Sequence, residues 1–273
     1  MKAGSVPLLQ VESLSKVFAA AQGGSTRAVD GVSFHVDRGE TLGIVGESGS
    51  GKSTLGRLIA GLQEPSGGRV LIGGEDVHAR RFSSRQAVWR QLQMVFQDPY
   101  SSLNPRMTIE EALAEPLRNF RIATGAAAKA RAVRMLDACG LPASSLARYP
   151  SDFSGGQRQR IGIARALIVE PALVIADEPV SALDVSVQAQ IINLLLDLQE
   201  SFGLTYIFIG HDLAVVRQVA ARVAVMYRGR IEEIAAADTL FTAPQSAYTK
   251  LLLAASPSTD PARARQQLDV QAG

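Results

Sequence analysis

The sequence predicts an α/β fold with a buried parallel sheet, and three observations predict it. Short apolar runs at Thr41–Val45, Ala172–Ala176 and Thr205–Ile209 read as strands covered on both faces. Between the last two, Val187, Ile191, Leu194, Leu195 and Leu198 form one apolar stripe at helical spacing. A glycine-rich stretch, Gly46–Ser53, joins the first run to a helix over about Lys52–Gly61. Strand–helix alternation of this kind implies right-handed crossovers within one sheet.

The remaining elements follow in chain order. Residues 8–18 and 31–37 read as strands. In the second of them Val32, Phe34 and Val36 alternate with Ser33, His35 and Asp37, as in a half-buried strand. Ala21–Ser25 between them reads as a loop. Residues 101–150 change character and read as two or three helices, near 107–120 and 126–139, broken at Gly140 and Pro142. Val223–Met226 reads as the last strand. From about residue 256 the chain is polar, with Pro and Arg, and is expected to fray. The sequence shows no internal repeat.

Composition narrows the class. A chain of 273 residues fits one large domain, or one with an inserted subdomain. Its apolar share is 47% and its mean hydropathy +0.10, high for a soluble protein. No apolar run is long enough to span a membrane. The segment Met1–Val11 lacks the apolar centre of a secretory signal. Cys139 is the single cysteine, which excludes an internal disulfide framework and a cysteine-ligated metal cluster. A reducing cytoplasm is the simplest compartment. A net charge of +2 with scattered Lys and Arg lacks the basic footprint of a dedicated nucleic-acid binder.

Gly46-Glu47-Ser48-Gly49-Ser50-Gly51-Lys52-Ser53 fits the phosphate-loop pattern. Its glycines let backbone N–H groups converge on phosphate oxygens where a Cβ would intrude. The helix behind it directs its positive end at the anion. Lys52 suits the β- and γ-phosphates, and the Ser53 hydroxyl suits Mg²⁺. Asp177 and Glu178 close the second apolar run, at the strand end where ligands of such sheets bind. Asp177 suits Mg²⁺ held through water, and Glu178 suits the attacking water as general base. Gln97 after Met94-Val95-Phe96 is a candidate for Mg²⁺ or the water, and His211 stands after the apolar run Ile207–Gly210. Taken singly, each of these two is more often a solvated strand end. Ser154-Gly155-Gly156-Gln157 is a second glycine-rich turn opening a helix, and so a second phosphate cradle in a chain that already has one.

The order of these motifs resembles the ATP-binding subunit of ATP-binding cassette (ABC) transporters over about residues 8–250. The phosphate loop, Gln97, the signature turn around Ser154–Gln157, the acidic strand, Ser181-Ala182-Leu183-Asp184 and His211 stand in the family's order. The resemblance implies a phosphate-loop NTPase with a RecA-like core, an antiparallel β subdomain and a helical subdomain at about 101–160. The cassette domain would cover 1–255, with a short tail at 256–273. ATP and Mg²⁺ are the implied ligands. Phe18 would stack on adenine, Thr54 and Asp184 would join the nucleotide site, His211 would contact the γ-phosphate, and Ser154–Gln157 would serve the nucleotide of a second cassette.

A narrower resemblance, to the oligopeptide/dipeptide importer branch, rests on three stretches: Gln97–Arg106, Phe153–Arg160 and Ala182–Gln188. That branch also handles nickel and glutathione. The chain departs from it where His-Pro-Tyr-Thr is expected, since Gln245-Ser246-Ala247-Tyr248-Thr249 stands there, and where Gly210 replaces the usual Ser or Thr. The second departure suggests a looser backbone at His211. The implied partners are a second, related ATPase subunit, two integral membrane permeases and, indirectly, an extracytoplasmic solute-binding protein. The implied place is the cytoplasmic face of the membrane. Asn104, Met107 and Ile109 are candidate surface contacts to the permeases. Two other classes stand open: a soluble ABC ATPase acting on nucleic acid or ribosomes, and a module that dimerises on ATP without hydrolysing it.

Overall fold

The computed structural model describes residues 6–19, 24–79, 82–98 and 103–255. Parts of the expected Ala21–Ser25 loop, of the Gln97–Arg106 stretch and the whole 256–273 tail lie outside the described residues. An antiparallel sheet of order β2-β1-β4-β5 is formed by β1 (Leu9–Ala19), β2 (Ser25–Val36), β4 (Gly67–Ile72) and β5 (Glu75–Asp76). Strand β2 starts at Ser25, well before the expected residue 31. The predicted alternation holds, with Val32, Phe34 and Val36 buried and Ser33 and His35 exposed.

The second sheet has the order β10-β9-β3-β8-β7-β6. Its strands are β3 (Thr41–Val45), β6 (Leu92–Val95), β7 (Leu173–Asp177), β8 (Thr205–Ile209), β9 (Arg222–Tyr227) and β10 (Arg230–Ala236). All pair in parallel except β10, which returns antiparallel on β9. Val223–Met226 is therefore not in the last strand. A two-residue link, Arg228 and Gly229, turns the chain back with φ of 45° and 84°. That geometry suits a tight hairpin, but Arg-Gly lacks the Asn-Gly signal that would announce it.

Side-chain alternation along the parallel strands builds two cores. Leu42, Ile44, Ile175, Ile207 and Ile209 face the antiparallel sheet and α1 (Lys52–Ile59). Val174, Ala176, Tyr206 and Phe208 face the other side, towards α3 (Ile109–Asn119), α4 (Gly125–Ala138), α5 (Gly155–Leu167) and α6 (Val185–Phe202). Between Asp76 and β6 lies α2 (Phe82–Gln91), and α7 (Leu213–Val219), α8 (Ala237–Thr242) and α9 (Ala247–Ala255) complete the fold. The helices at 109–119 and 125–138 match the expected 107–120 and 126–139 to within two residues at each end. Helix α3 opens on a capping box: the Thr108 hydroxyl accepts from the Glu111 N–H, and the Glu111 carboxylate accepts from the Thr108 N–H at 2.8 Å. Ile109 follows that cap and is fully buried. The expectation of Ile109 as a surface contact fails because the first turn of α3 packs into the helical core, while Asn104 stays exposed.

Candidate functional site

The loop between β3 and α1 is fixed by glycine and by its neighbours. A Cβ on Gly46 would stand 2.1 Å from the Met226 carbonyl oxygen, and one on Gly51 2.2 Å from that of Ala28. Both glycines also have positive φ, 150° and 104°. Gly229 N–H donates to the Ser50 carbonyl at 2.9 Å, so the β9–β10 turn braces the loop from outside. That brace was not visible in the sequence. Glu47, Ser48 and Gly49 form an exposed tip, and Thr54 lies half-buried on the first turn of α1. Lys52 is buried, and its ammonium donates to the carbonyls of Gly46 (2.7 Å) and Glu47 (2.8 Å) and to Ser50 Oγ (3.4 Å). Burial pulls its pKa down, while Glu178, Asp177 and Glu47 oppose that.

Three adjacent strands deliver the acidic and polar groups. Asp177, buried at the end of β7, accepts a hydrogen bond from the Ser53 hydroxyl at 3.1 Å. Burial raises its pKa, the Ser53 hydrogen bond works against this, and the neighbouring Glu178 charge adds to it. Glu178 follows with φ of 47°, a left-handed conformation uncommon outside glycine, held by its N–H donating to Ile209 O at 2.9 Å. Its Oε2 accepts from Gln97 Nε2 at 3.3 Å and lies 3.3 Å from His211 Nδ1. Gln97, Glu178 and His211 thus converge beyond the C-terminal ends of β6, β7 and β8. Each residue is legible singly in the chain, and the sheet order makes them one cluster. The backbone before His211 is tied down, because Gly210 N–H donates to Ile44 O at 3.1 Å.

The Ser154 turn is a different kind of object. Ser154 Oγ accepts from Gln157 N–H at 3.4 Å, and Gln157 Oε1 accepts from Ser154 N–H at 3.0 Å. The turn is therefore also a capping box for α5, a signal that Ser-x-x-Gln carries alongside its glycines. A Cβ on Gly156 would meet Val187 Cγ1 at 2.5 Å, so glycine there lets α5 approach the start of α6. Among the described residues, no hydrogen bond links Ser154–Gln157 to the phosphate loop. Asp184 likewise caps a helix. Its carboxylate accepts from Val187 N–H (3.0 Å) and the Ser186 hydroxyl (2.8 Å), which together hold its pKa below the ordinary range. Phe18, near the end of β1, is 39% exposed, with Lys16 Nζ 5.3 Å from its ring centroid, so its ring is not spent on the core.

The ABC transporter family matches residues 29–181. A probable peptide ABC transporter ATP-binding protein, y4tS of Sinorhizobium fredii, is 52% identical over 97% of this chain and 76% of its own length. The chain belongs to the ABC transporter family. The oligopeptide transport ATP-binding protein OppF of Bacillus subtilis is 50% identical over 96% of this cassette and 88% of its own length. Among solved structures, the ATP-binding cassette MJ0796, a dimer in a post-hydrolysis state bound to ADP and phosphate, superposes with a TM-score of 0.75. That match has 30% identity and covers 84% of this cassette and 98% of MJ0796. CbiO1 of Clostridium perfringens shares the fold at a TM-score of 0.77 and 24% identity, over 97% of this cassette and all of its own chain.

Proposed function

We propose that this cassette is the ATP-hydrolysing subunit of an importer for oligopeptides, dipeptides or a similar small solute. The observation that carries it is the Glu178 carboxylate, held between Gln97 and His211 a few bonds from the Ser53–Asp177 pair. The names of the relatives at 50–52% identity support the peptide class, and all of the motif residues are present for hydrolysis. The cassette domain is residues 1–255 with its helical insert at about 101–160.

The roles follow from the placement. Backbone N–H groups of Gly46–Thr54 and the start of α1 bind the phosphates, and Phe18 offers an open ring face to adenine. Lys52 exchanges the loop carbonyls it now holds for β- and γ-phosphate oxygens, a better partner for a buried ammonium. A hydroxyl bonded to a buried carboxylate is the hard-oxygen pair that suits Mg²⁺, so Ser53 and Asp177 would hold it, with Gln97 in reach. When bound, Mg²⁺ neutralises charge developing on the phosphates. Glu178 takes the proton of the attacking water, with His211 and Gln97 fixing the carboxylate. The Ser154–Gln157 turn serves the γ-phosphate of a second cassette, and Asp184 lies at the same face.

The helical insert also forms a groove with the sheet. It has a volume of about 630 Å³ and is lined by Trp89, Met94, Phe96, Pro116 and Phe120, beside Gln97. A permease segment seated there would feel any shift of Gln97. Among the described residues no helix is long and apolar enough to cross a membrane. On the family reading the chain would work at the cytoplasmic face against two permeases and a related cassette, with a solute-binding protein outside. The expected result is Mg²⁺-dependent phosphate release from ATP and co-purification with integral membrane proteins. Co-purification with ribosomes or DNA instead would support the soluble reading and overturn this one.

A further inference from the structure

Helix α9 touches the phosphate loop. The Tyr248 ring packs on Tyr227 at the end of β9, with centroids 4.2 Å apart and planes tilted by 32°. The Tyr248 hydroxyl is shut off from solvent and faces the backbone of Glu47 without completing a hydrogen bond. Burial raises its pKa, so the hydroxyl keeps its proton. Glu47 is also the residue whose carbonyl receives the Lys52 ammonium at 2.8 Å.

Tyr248 cannot easily swing away. The Glu233 carboxylate on β10 accepts from the N–H groups of Gln245 (2.9 Å) and Ser246 (3.0 Å), which fixes the entry to α9. Thr249, next to Tyr248, is fully buried. The outer wall of the phosphate loop therefore meets the chain's C-terminal part at three places. Met226 O lies against Gly46, Gly229 N–H bonds Ser50 O, and Tyr248 faces Glu47.

We infer that Tyr248 is a positioning residue for ATP binding: when the loop closes on phosphate its hydroxyl bonds the Glu47 peptide, and through it positions the loop that holds Lys52 and the phosphates. A phenylalanine would bury the same ring and leave no polar atom without a partner, so stability by itself favours Phe at this position. The hydroxyl has a reason to be there if the loop uses it when it closes on phosphate. This makes the Gln245–Thr249 element part of the nucleotide site rather than a trailing helix, and it rests on the ATPase reading above.

The test is calorimetric titration of the full chain with ATP and Mg²⁺, together with steady-state hydrolysis by the assembled cassette pair. Tyr248→Phe should raise the Kd and KM for ATP about five-fold, the effect of one lost hydrogen bond, with kcat within about two-fold. Its melting temperature should be unchanged or higher. Tyr248→Leu, which also removes the stack on Tyr227, should lose more affinity and melt lower. A Tyr248→Phe chain that binds ATP as the unaltered chain does would overturn the inference while leaving the ATPase reading intact. An unaltered chain that binds no ATP would overturn both.

Discussion

The phosphate loop and the Ser154 turn are both glycine-rich helix starts, and they are finished to different degrees. The loop around Lys52 is wired into its own chain. Lys52 reaches back to Gly46 and Glu47, Ser53 bonds Asp177, and Glu178 gathers Gln97 and His211. The Ser154 turn satisfies itself through a capping box and rests on Leu183 and Val187. On the function proposed above, one half of an active site is assembled within the chain. The other half would be the outward-facing helix start at Ser154, whose remaining N–H groups and positive end suit the phosphate of a second cassette. The difference teaches that two similar motifs need not make two sites in one molecule.

The comparison breaks most visibly at Glu178. Glu178→Gln keeps the size and the contacts to Gln97 and His211 but cannot take a proton. Turnover should fall by about 10²–10⁴-fold with ATP affinity retained. Near-normal hydrolysis would remove Glu178 from the role of base.

A smaller effect isolates the second turn. Ser154→Asp preserves an N-cap, because Asp caps as well as Ser, so stability should stay within about 0.5 kcal/mol in urea unfolding. Its charge would repel a γ-phosphate, and hydrolysis should fall by about 10²-fold while binding at the chain's own loop is unchanged. Full ATPase activity from a strictly monomeric preparation would contradict the outward-facing role altogether.

The smallest effect concerns stability. Asp177 is a buried carboxylate with a raised pKa. A raised carboxylate pKa favours the folded chain in acid, and that advantage is lost as pH rises through the folded-state value. At neutral pH the charge is therefore a cost, and Asp177→Asn should raise Tm by about 2 °C while losing Mg²⁺-dependent hydrolysis. A lower Tm at neutral pH would show that the Ser53 hydrogen bond outweighs burial.

The sequence by itself determined the strands of the parallel sheet, the phosphate loop and the identity of most candidate residues. These signals are local: apolar runs, glycine spacing and strand-end carboxylates stand within a few residues of one another. It also contained the capping box at Ser154 and the hairpin at Arg228-Gly229, which went unread because the same residues suggested a phosphate site and because Arg-Gly is a weak turn signal. Only the tertiary structure decided that Gln97, Glu178 and His211 share one carboxylate, since 81 residues separate Gln97 from Glu178 and sheet order rather than spacing joins them. It alone buried Ile109, added β10, and brought Tyr248 to Glu47. Each of these depends on which faces pack together, and burial across distant segments leaves no local mark in a chain.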